Sequence, residues 1–214
     1  MSTDFNIYIG LDEPHPQAYE VCKQSILESC ERYNVTVSPV NYNTVKTYKR
    51  TKDKFESTQF AFARFFVPHQ CDFKGRSVFV DGDFLFLDSI DDLLDLYDDQ
   101  YAVSCCKHEY DPEPGVKMDG KIQSVYPKKN WSSLMLINNE HEDVKKLTPT
   151  KLNVETGKYL HRFEWVEGEI GSIPVEWNWL VGWYQEPTDG EPKAIHYTEG
   201  GPWFPEYRFC DYHE

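Results

Sequence analysis

No apolar run in these 214 residues approaches the roughly 20 needed to cross a bilayer, so no membrane span is expected. Bases are scarce. The 22 Lys and Arg stand against 36 Asp and Glu, a formal charge of −14, which argues against general binding to nucleic acid or to anionic membranes. An anionic small substrate stays open, because screening over about 8 Å makes the local site count for more than the total. The six cysteines, at 22, 30, 71, 105, 106 and 210, fit no zinc spacing. With no secretory leader recognisable, they are expected to be reduced thiols of a cytoplasmic protein. Repeats and low-complexity tracts are absent as well. What remains is 40% hydrophobic and 15% aromatic, a globular composition of a length that suits one domain.

The stretch with most chemistry is Ser77-Val78-Phe79-Val80-Asp81-Gly82-Asp83-Phe84-Leu85-Phe86-Leu87. Short runs rich in Val and Phe read as buried strand on both sides of two carboxylates. Two acids this close to a core need a partner, and a divalent cation is the most economical one. Along an extended chain, residues i and i+2 lie on one side, roughly 7 Å apart. Gly82 allows a bend that brings both acids to one ion, and its missing side chain lets a ligand approach. Asp-Gly is also a strong hairpin signal, and that plainer reading stands beside the first.

Before this stretch, Phe5 to Ile9 alternates as a strand, Gly10 to Pro16 breaks it, and Gln17 to Arg32 has helical spacing. In that helix Ala18, Val21, Cys22, Ser25, Ile26 and Cys30 mark one face. Val35 to Val37 is a second strand. This βαβ opening predicts a largely parallel sheet, with ligands bound beyond the carboxyl ends of its strands. Lys46, Lys49, Arg50, Lys52 and Lys54 form a basic run, read as a solvated loop or as a flap over a phosphate-bearing ligand. Ser57 to Val67 predicts a helix ended by Pro68, with Arg64 at the border of its apolar face and in need of a carboxylate or phosphate partner. Ser89 is placed as an N-cap before Asp91 and Asp92. Tyr101 to Cys106 and Trp131 to Asn138 read as strands, with a long loop from Asp111 to Lys129 between them. Glu140 to Leu147 and Thr148 to Gly157 read as helices. Ile173 to Val175 and Ala194 to Tyr197 are short strand candidates. Trp165, Trp177, Trp179, Trp183 and Trp203 crowd the last third; such rings suit sugars, a core or an interface.

Taken together, these features resemble the GT-A glycosyltransferases, most closely the family-eight type that includes glycogenin and the bacterial lipopolysaccharide galactosyl- and glucosyltransferases. The opening strand, Asp12 loop and helix carry part of the likeness. So do Arg64 with Val67-Pro68, the Asp81-Gly82-Asp83 motif with Ser89 to Leu93, and the Trp131 to Asn138 strand. His196 followed by Gly200-Gly201-Pro202-Trp203 resembles the family's C-terminal His, Gly, Lys-Pro-Trp motif. The resemblance implies an α/β fold of GT-A (Rossmann-like) type, a mixed, mainly parallel sheet flanked by helices in one compact domain over residues 1–214. It implies that Asp83 and His196 bind Mn²⁺ (or Mg²⁺), with Asp81 sharing the ion or holding the ribose. Tyr8 and Asp12 would lie along the nucleotide, Arg64 near the sugar-diphosphate, and Gly200 and Gly201 would offer backbone N–H groups to the phosphates. Arg64, Asp81 and Asp83 would then serve the reaction. One departure stands out: Gly201 occupies the place of the family's lysine.

The implied reaction moves a sugar from a nucleotide sugar, in this family usually a UDP-sugar, to a glycan, lipid or protein acceptor, with retention at the anomeric carbon. Charge builds on the departing diphosphate, and a cation held by two carboxylates and an imidazole stabilises it. Two other readings remain. A GT-A scaffold without turnover would bind nucleotide or sugar only, as the missing lysine suggests. A haloacid-dehalogenase-like phosphatase also carries an Asp-x-Asp after a strand, but near the start of its domain, whereas 80 residues precede Asp81.

Overall fold

Alternate apolar residues make the first strand, β1 (Asp4–Gly10), which buries Phe5, Ile7 and Ile9. Helix α1 (Pro16–Glu28) follows, with Pro16 in its first turn, where the missing N–H breaks no bond. It buries Ala18, Tyr19, Cys22 and Ile26, while Val21, expected on that face, is 50% exposed. The helix stops short of Arg32. The N–H groups of Glu31 and Arg32 bond the Asp91 carboxylate, each at 2.8 Å, and so leave the helical ladder. Strand β2 (Asn34–Val40) lies at the sheet edge, where Pro39 costs no ladder bond. The structure, a computed structural model, describes residues 4–51, 58–109, 128–186 and 190–213, and only the backbone of 115–116 and 122–123. Lys52 and Lys54 of the basic run, and most of the long loop from Asp111, lie outside the described residues.

The helix expected over Ser57 to Val67 is replaced by turns, a 3-10 segment at Ala63–Phe66 and then α2 (Val67–Gln70). Pro68 opens that helix instead of ending the earlier one, because proline is accepted in a first turn. Strands β3 (Arg76–Val80) and β4 (Phe84–Phe86) flank the two acids, α3 (Ile90–Leu94) follows, and then β5 (Val103–Cys106). Ser89 occupies the N-cap of α3, but its hydroxyl bonds the Ser29 carbonyl and not the helix N–H groups. A two-stranded ribbon, β6 (Gly115–Val116) and β7 (Ile122–Gln123), precedes β8 (Leu134–Asn138), whose expected first residues Trp131–Ser133 form a 3-10 turn. Next come α4 (Glu142–Lys145), α5 (Pro149–Leu152) and α6 (Gly157–His161), the latter two capped by Thr148 and Thr156. Strands β9 (Gly171–Ile173), β10 (Trp179–Leu180) and β11 (Ala194–His196) complete the set. Val175, expected to extend a strand, begins a 3-10 turn instead.

The main sheet has the order β2-β1-β3-β8-β5-β9. Five of its strands run one way and β8 alone runs against them. Both faces are covered, as the continuous apolar runs require. Val78, Val80, Leu134 and Leu136 face α1 and α3, while Phe79, Met135 and Ile137 face the aromatic layer of residues 60–67 and the helices after β8. A small sheet, β10-β11-β4, stands beside it. Strands β3 and β4 therefore belong to different sheets, and Asp81-Gly82-Asp83 is the crossing between them, not a hairpin turn. No helix among the described residues is long and apolar enough to cross a membrane, and all six cysteines are free thiols.

Two polar groups tie these layers together. Burial alone would raise the Asp91 carboxyl, but the N–H groups of Glu31 and Arg32 and the Cys30 thiol outweigh it and hold the group below the usual carboxylate range. Replacing Asp91 with Ala strands two inward N–H groups, and we expect urea unfolding at pH 7 to show a loss of about 3 kcal/mol. His161, the last residue of α6, sits edge-on to Phe65 and 2.9 Å from Ser132 Oγ. Burial, followed by the charges of Arg64 and Arg50, pushes its imidazole down from 6.5 to about 3. Below pH 6.5 the unfolded chain takes a proton that the folded chain refuses, so stability falls as pH falls toward 3. At pH 5 this one group costs about 2 kcal/mol. His161→Gln should therefore lose about 2 kcal/mol less than the parent between pH 7.5 and pH 5 in urea titrations.

Candidate metal centre

Three strand ends meet at one edge. In β1 and β3 the pair Ile9 and Val80 is in register, so Gly10 and Asp81 emerge together at the carboxyl edge of the sheet. Antiparallel β8 begins there, and the Asp81 N–H donates to the Ser133 carbonyl at 2.8 Å. Across the crossing, β11 pairs antiparallel with β4 and sets His196 opposite Phe84, with the Tyr197 N–H on the Asp83 carbonyl at 3.0 Å. Gly82 is required by the tightness of this corner. An added Cβ would lie 2.1 Å from the Gly10 carbonyl oxygen, so the glycine admits a second backbone.

As a result Asp81, Asp83 and His196 offer ligand atoms that all lie within 4.8 Å of one another. His196 is buried, its ring is stacked on Phe84 at 4.4 Å, and its Nε2 faces Asp83 Oδ1 at 3.5 Å. Its Nδ1 is 2.8 Å from Asn178 Oδ1. Two carboxylates and an imidazole on nearly enclosed walls form a donor set that fits Mn²⁺ or Mg²⁺. Arg64 is buried, as its border position foretold, and its Nη1 reaches Asp81 Oδ1 at 2.9 Å and the Ser132 carbonyl at 2.8 Å. The guanidinium also lies 4.8 Å from the centre of the Phe79 ring.

Beside the acids opens a small cleft. Asp83, Gly82, Phe60, Tyr19, Trp203 and Phe204 line it. Phe204 meets His15 with ring centres 4.4 Å apart. Asp12 lines the cleft too, and its Oδ1 takes the Gln59 N–H at 3.1 Å.

Other expected residues are placed differently. Tyr8 does not line the cleft: its hydroxyl lies 3.7 Å from Cys71 Sγ, behind the end of α2, and burial raises its phenol well above 10. The Gly200 N–H is taken by the Tyr197 carbonyl at 2.9 Å, closing a turn, so it is not turned to a phosphate. At Gly201 an added Cβ would strike the Trp203 indole at 2.3 Å. Lys107 bonds the Ile170 carbonyl at 2.6 Å. In the basic run, Arg50 holds the Leu152 carbonyl at 2.5 Å and lies over Phe62, so this part is docked on the body. Trp165, Trp177 and Trp179 are core, and of the five only Trp203 borders the cleft. Asn178 escaped the sequence reading, because a lone Asn between two tryptophans gives no signal until β10 and β11 pair.

No protein-family model matches the chain. Among solved structures, the bifunctional glycosyltransferase WbbM in its apo form superimposes with a TM-score of 0.65 at 16% identity, over 100% of this chain and 49% of that one. This chain thus spans about half the length of WbbM. The galactosyltransferase LgtC, solved with donor and acceptor sugar analogues, superimposes with a TM-score of 0.55 at 12% identity, over 95% of this chain and 91% of its own. These likenesses establish a fold of the GT-A glycosyltransferase type. In sequence, Protein CDI of Arabidopsis thaliana is 44% identical over 216 residues, covering 97% of this chain and 83% of that protein. With its GT-A-type fold, the chain belongs to the family of Protein CDI.

Proposed function

We propose that this protein is a metal-dependent glycosyltransferase of family-eight type. It would move a sugar from a nucleotide sugar, a UDP-sugar, to a glycan, lipid or protein acceptor with retention of configuration. The observation that carries the reading is the meeting of Asp81, Asp83 and His196 at one end of an aromatic-walled cleft. These three residues would hold Mn²⁺ or Mg²⁺. When bound, the ion stabilises the negative charge that gathers on the departing diphosphate.

The chain's own residues divide the remaining work. Phe60 and Tyr19 give the cleft planar apolar walls for a nucleoside, and Asp12 adds an acceptor beside them. Arg64 pins Asp81 and neutralises one of the two acids, which keeps the carboxylate oriented as the site fills. Trp203 and Phe204 exclude water from the cleft. Six free thiols suit a reducing compartment, and we place the reaction in the cytoplasm.

A second reading, binding without turnover, has its own support. Gly201 stands where the resemblance puts lysine, Lys107 is held at Ile170, and Arg64 is shared between Asp81 and Ser132. Calorimetry with UDP tests the site. We expect binding with Mn²⁺, none with chelator, and a loss of at least tenfold in Asp83→Ala. Wild type that ignores UDP in the presence of Mn²⁺ would overturn the UDP-sugar reading. Release of UDP from a panel of UDP-sugars then separates a transferase from a binding module.

A further inference from the structure

The hydrogens around Asn178 can be counted from one end to the other. Ser133 Oγ carries one hydrogen and lies 2.6 Å from the Asn130 carbonyl oxygen, which only accepts. That hydrogen is committed there, so Ser133 Oγ meets Asn178 as an acceptor, 2.9 Å from Nδ2. The Asn130 carbonyl is itself 3.5 Å from the same Nδ2. A flipped amide would set its oxygen against both of these acceptors, so the amide NH₂ faces Ser133 and Oδ1 faces His196. Oδ1 has no hydrogen to give. At 2.8 Å, the hydrogen of that bond is therefore carried by His196 Nδ1. A metal-ligating imidazole is neutral and has only one N–H, so as a ligand its free nitrogen is Nε2, the atom aimed at Asp83 Oδ1.

We propose that Asn178 is a positioning residue that fixes His196 as an Nε2 donor to a divalent cation, with Ser133 and Asn130 fixing Asn178 in turn. The inference deepens the metal-site reading above and rests on it. It explains why a polar side chain with no exposure lies between two buried tryptophans. It also joins the centre's two halves. Ser133 holds the Asp81 N–H through its carbonyl and Asn178 through its hydroxyl, so one residue sets both a carboxylate and an imidazole. Metal-bound histidines commonly need such a partner on the other nitrogen, and its loss costs about 10- to 100-fold in metal affinity.

Two measurements test the proposal. Long-range ¹H–¹⁵N correlation of the metal-free wild type at pH 8 should show a hydrogen on His196 Nδ1; an imidazole protonated on Nε2 with Nδ1 bare would overturn the inference without any variant. Mn²⁺ titration followed by electron paramagnetic resonance, with no nucleotide present, should give binding about 10- to 100-fold weaker in Asn178→Leu. Asn178→Asp, which restores an acceptor, should return affinity to within threefold of wild type. Equal affinity in wild type and Asn178→Leu, both with native circular dichroism, would overturn it. A wild type that takes up no Mn²⁺ would overturn the metal-site reading itself, and the Nδ1–H spectrum would still decide the tautomer separately.

Discussion

At Gly82 the chain leaves the main sheet so close to β1 that an added Cβ would lie 2.1 Å from the Gly10 carbonyl oxygen. This contact sets the distance between the two sheets, and the site depends on that distance. With β1 and β3 in register, Asp81 can only emerge beside Ser133 and Arg64. With β4 forced onto the other side of the corner, Asp83 can only emerge beside His196. Two acids one residue apart thus acquire different neighbours and still share one centre. A larger residue at 82 would push β4 away from β1, and His196 with it, since β11 has no other antiparallel partner in the small sheet.

The charges at the corner follow from the same geometry. Asp81 and Asp83 bring two negative charges to walls that are largely enclosed, and Arg64 returns one positive charge through Asp81 alone. Asp83 instead faces an imidazole nitrogen. Acceptors held face to face in a low-dielectric corner repel unless a cation lies between them. The arrangement is rigid on each side: Phe84 stacks on His196, and Arg64 is held between the Phe60 and Phe79 rings. Such preorganisation means that binding an ion needs little rearrangement of the chain.

Much of this was legible in the residues. Apolar runs on both sides of Asp81-Gly82-Asp83 showed two buried strands with the acids between them, with a hairpin turn left open, and the βαβ opening pointed to the carboxyl edge as the place for ligands. Arg64 was expected to need a carboxylate or phosphate, and its partner is the Asp81 carboxylate. What failed depended on tertiary contact. The aromatic stretch after residue 57 mimics helical spacing, yet its rings are spent on Phe79, Arg64 and His161, and the backbone turns to suit them. Helix α1 ends early because a distant carboxylate, Asp91, captures its next N–H groups. Tyr8 shares a strand with Gly10, but its long side chain leans toward Cys71, which no local pattern reveals. Asn178 acquires a role only through partners 18 and 45 residues away.

The Gly201 position shows how one residue bears on what a cleft can recognise. The resemblance places a lysine there, a mobile positive charge for a diphosphate. In this chain the Trp203 indole folds back over Gly201, so close that any side chain at 201 would collide with it at 2.3 Å. Glycine and the folded-back indole are therefore one feature: lysine could return only if Trp203 moved. With the indole in place, Trp203 and Phe204 form a wall of the cleft, and Phe204 seals against His15. The C-terminal segment thus offers ring faces where the family motif offers charge. On the proposed function, attraction for a diphosphate would rest more heavily on the centre at Asp81, Asp83 and His196, and the walls would favour ligands with planar or apolar surface. Such a site would tighten binding through contact area and exclusion of water, while on the proposed function support for departing phosphates would come mainly from one end of the cleft.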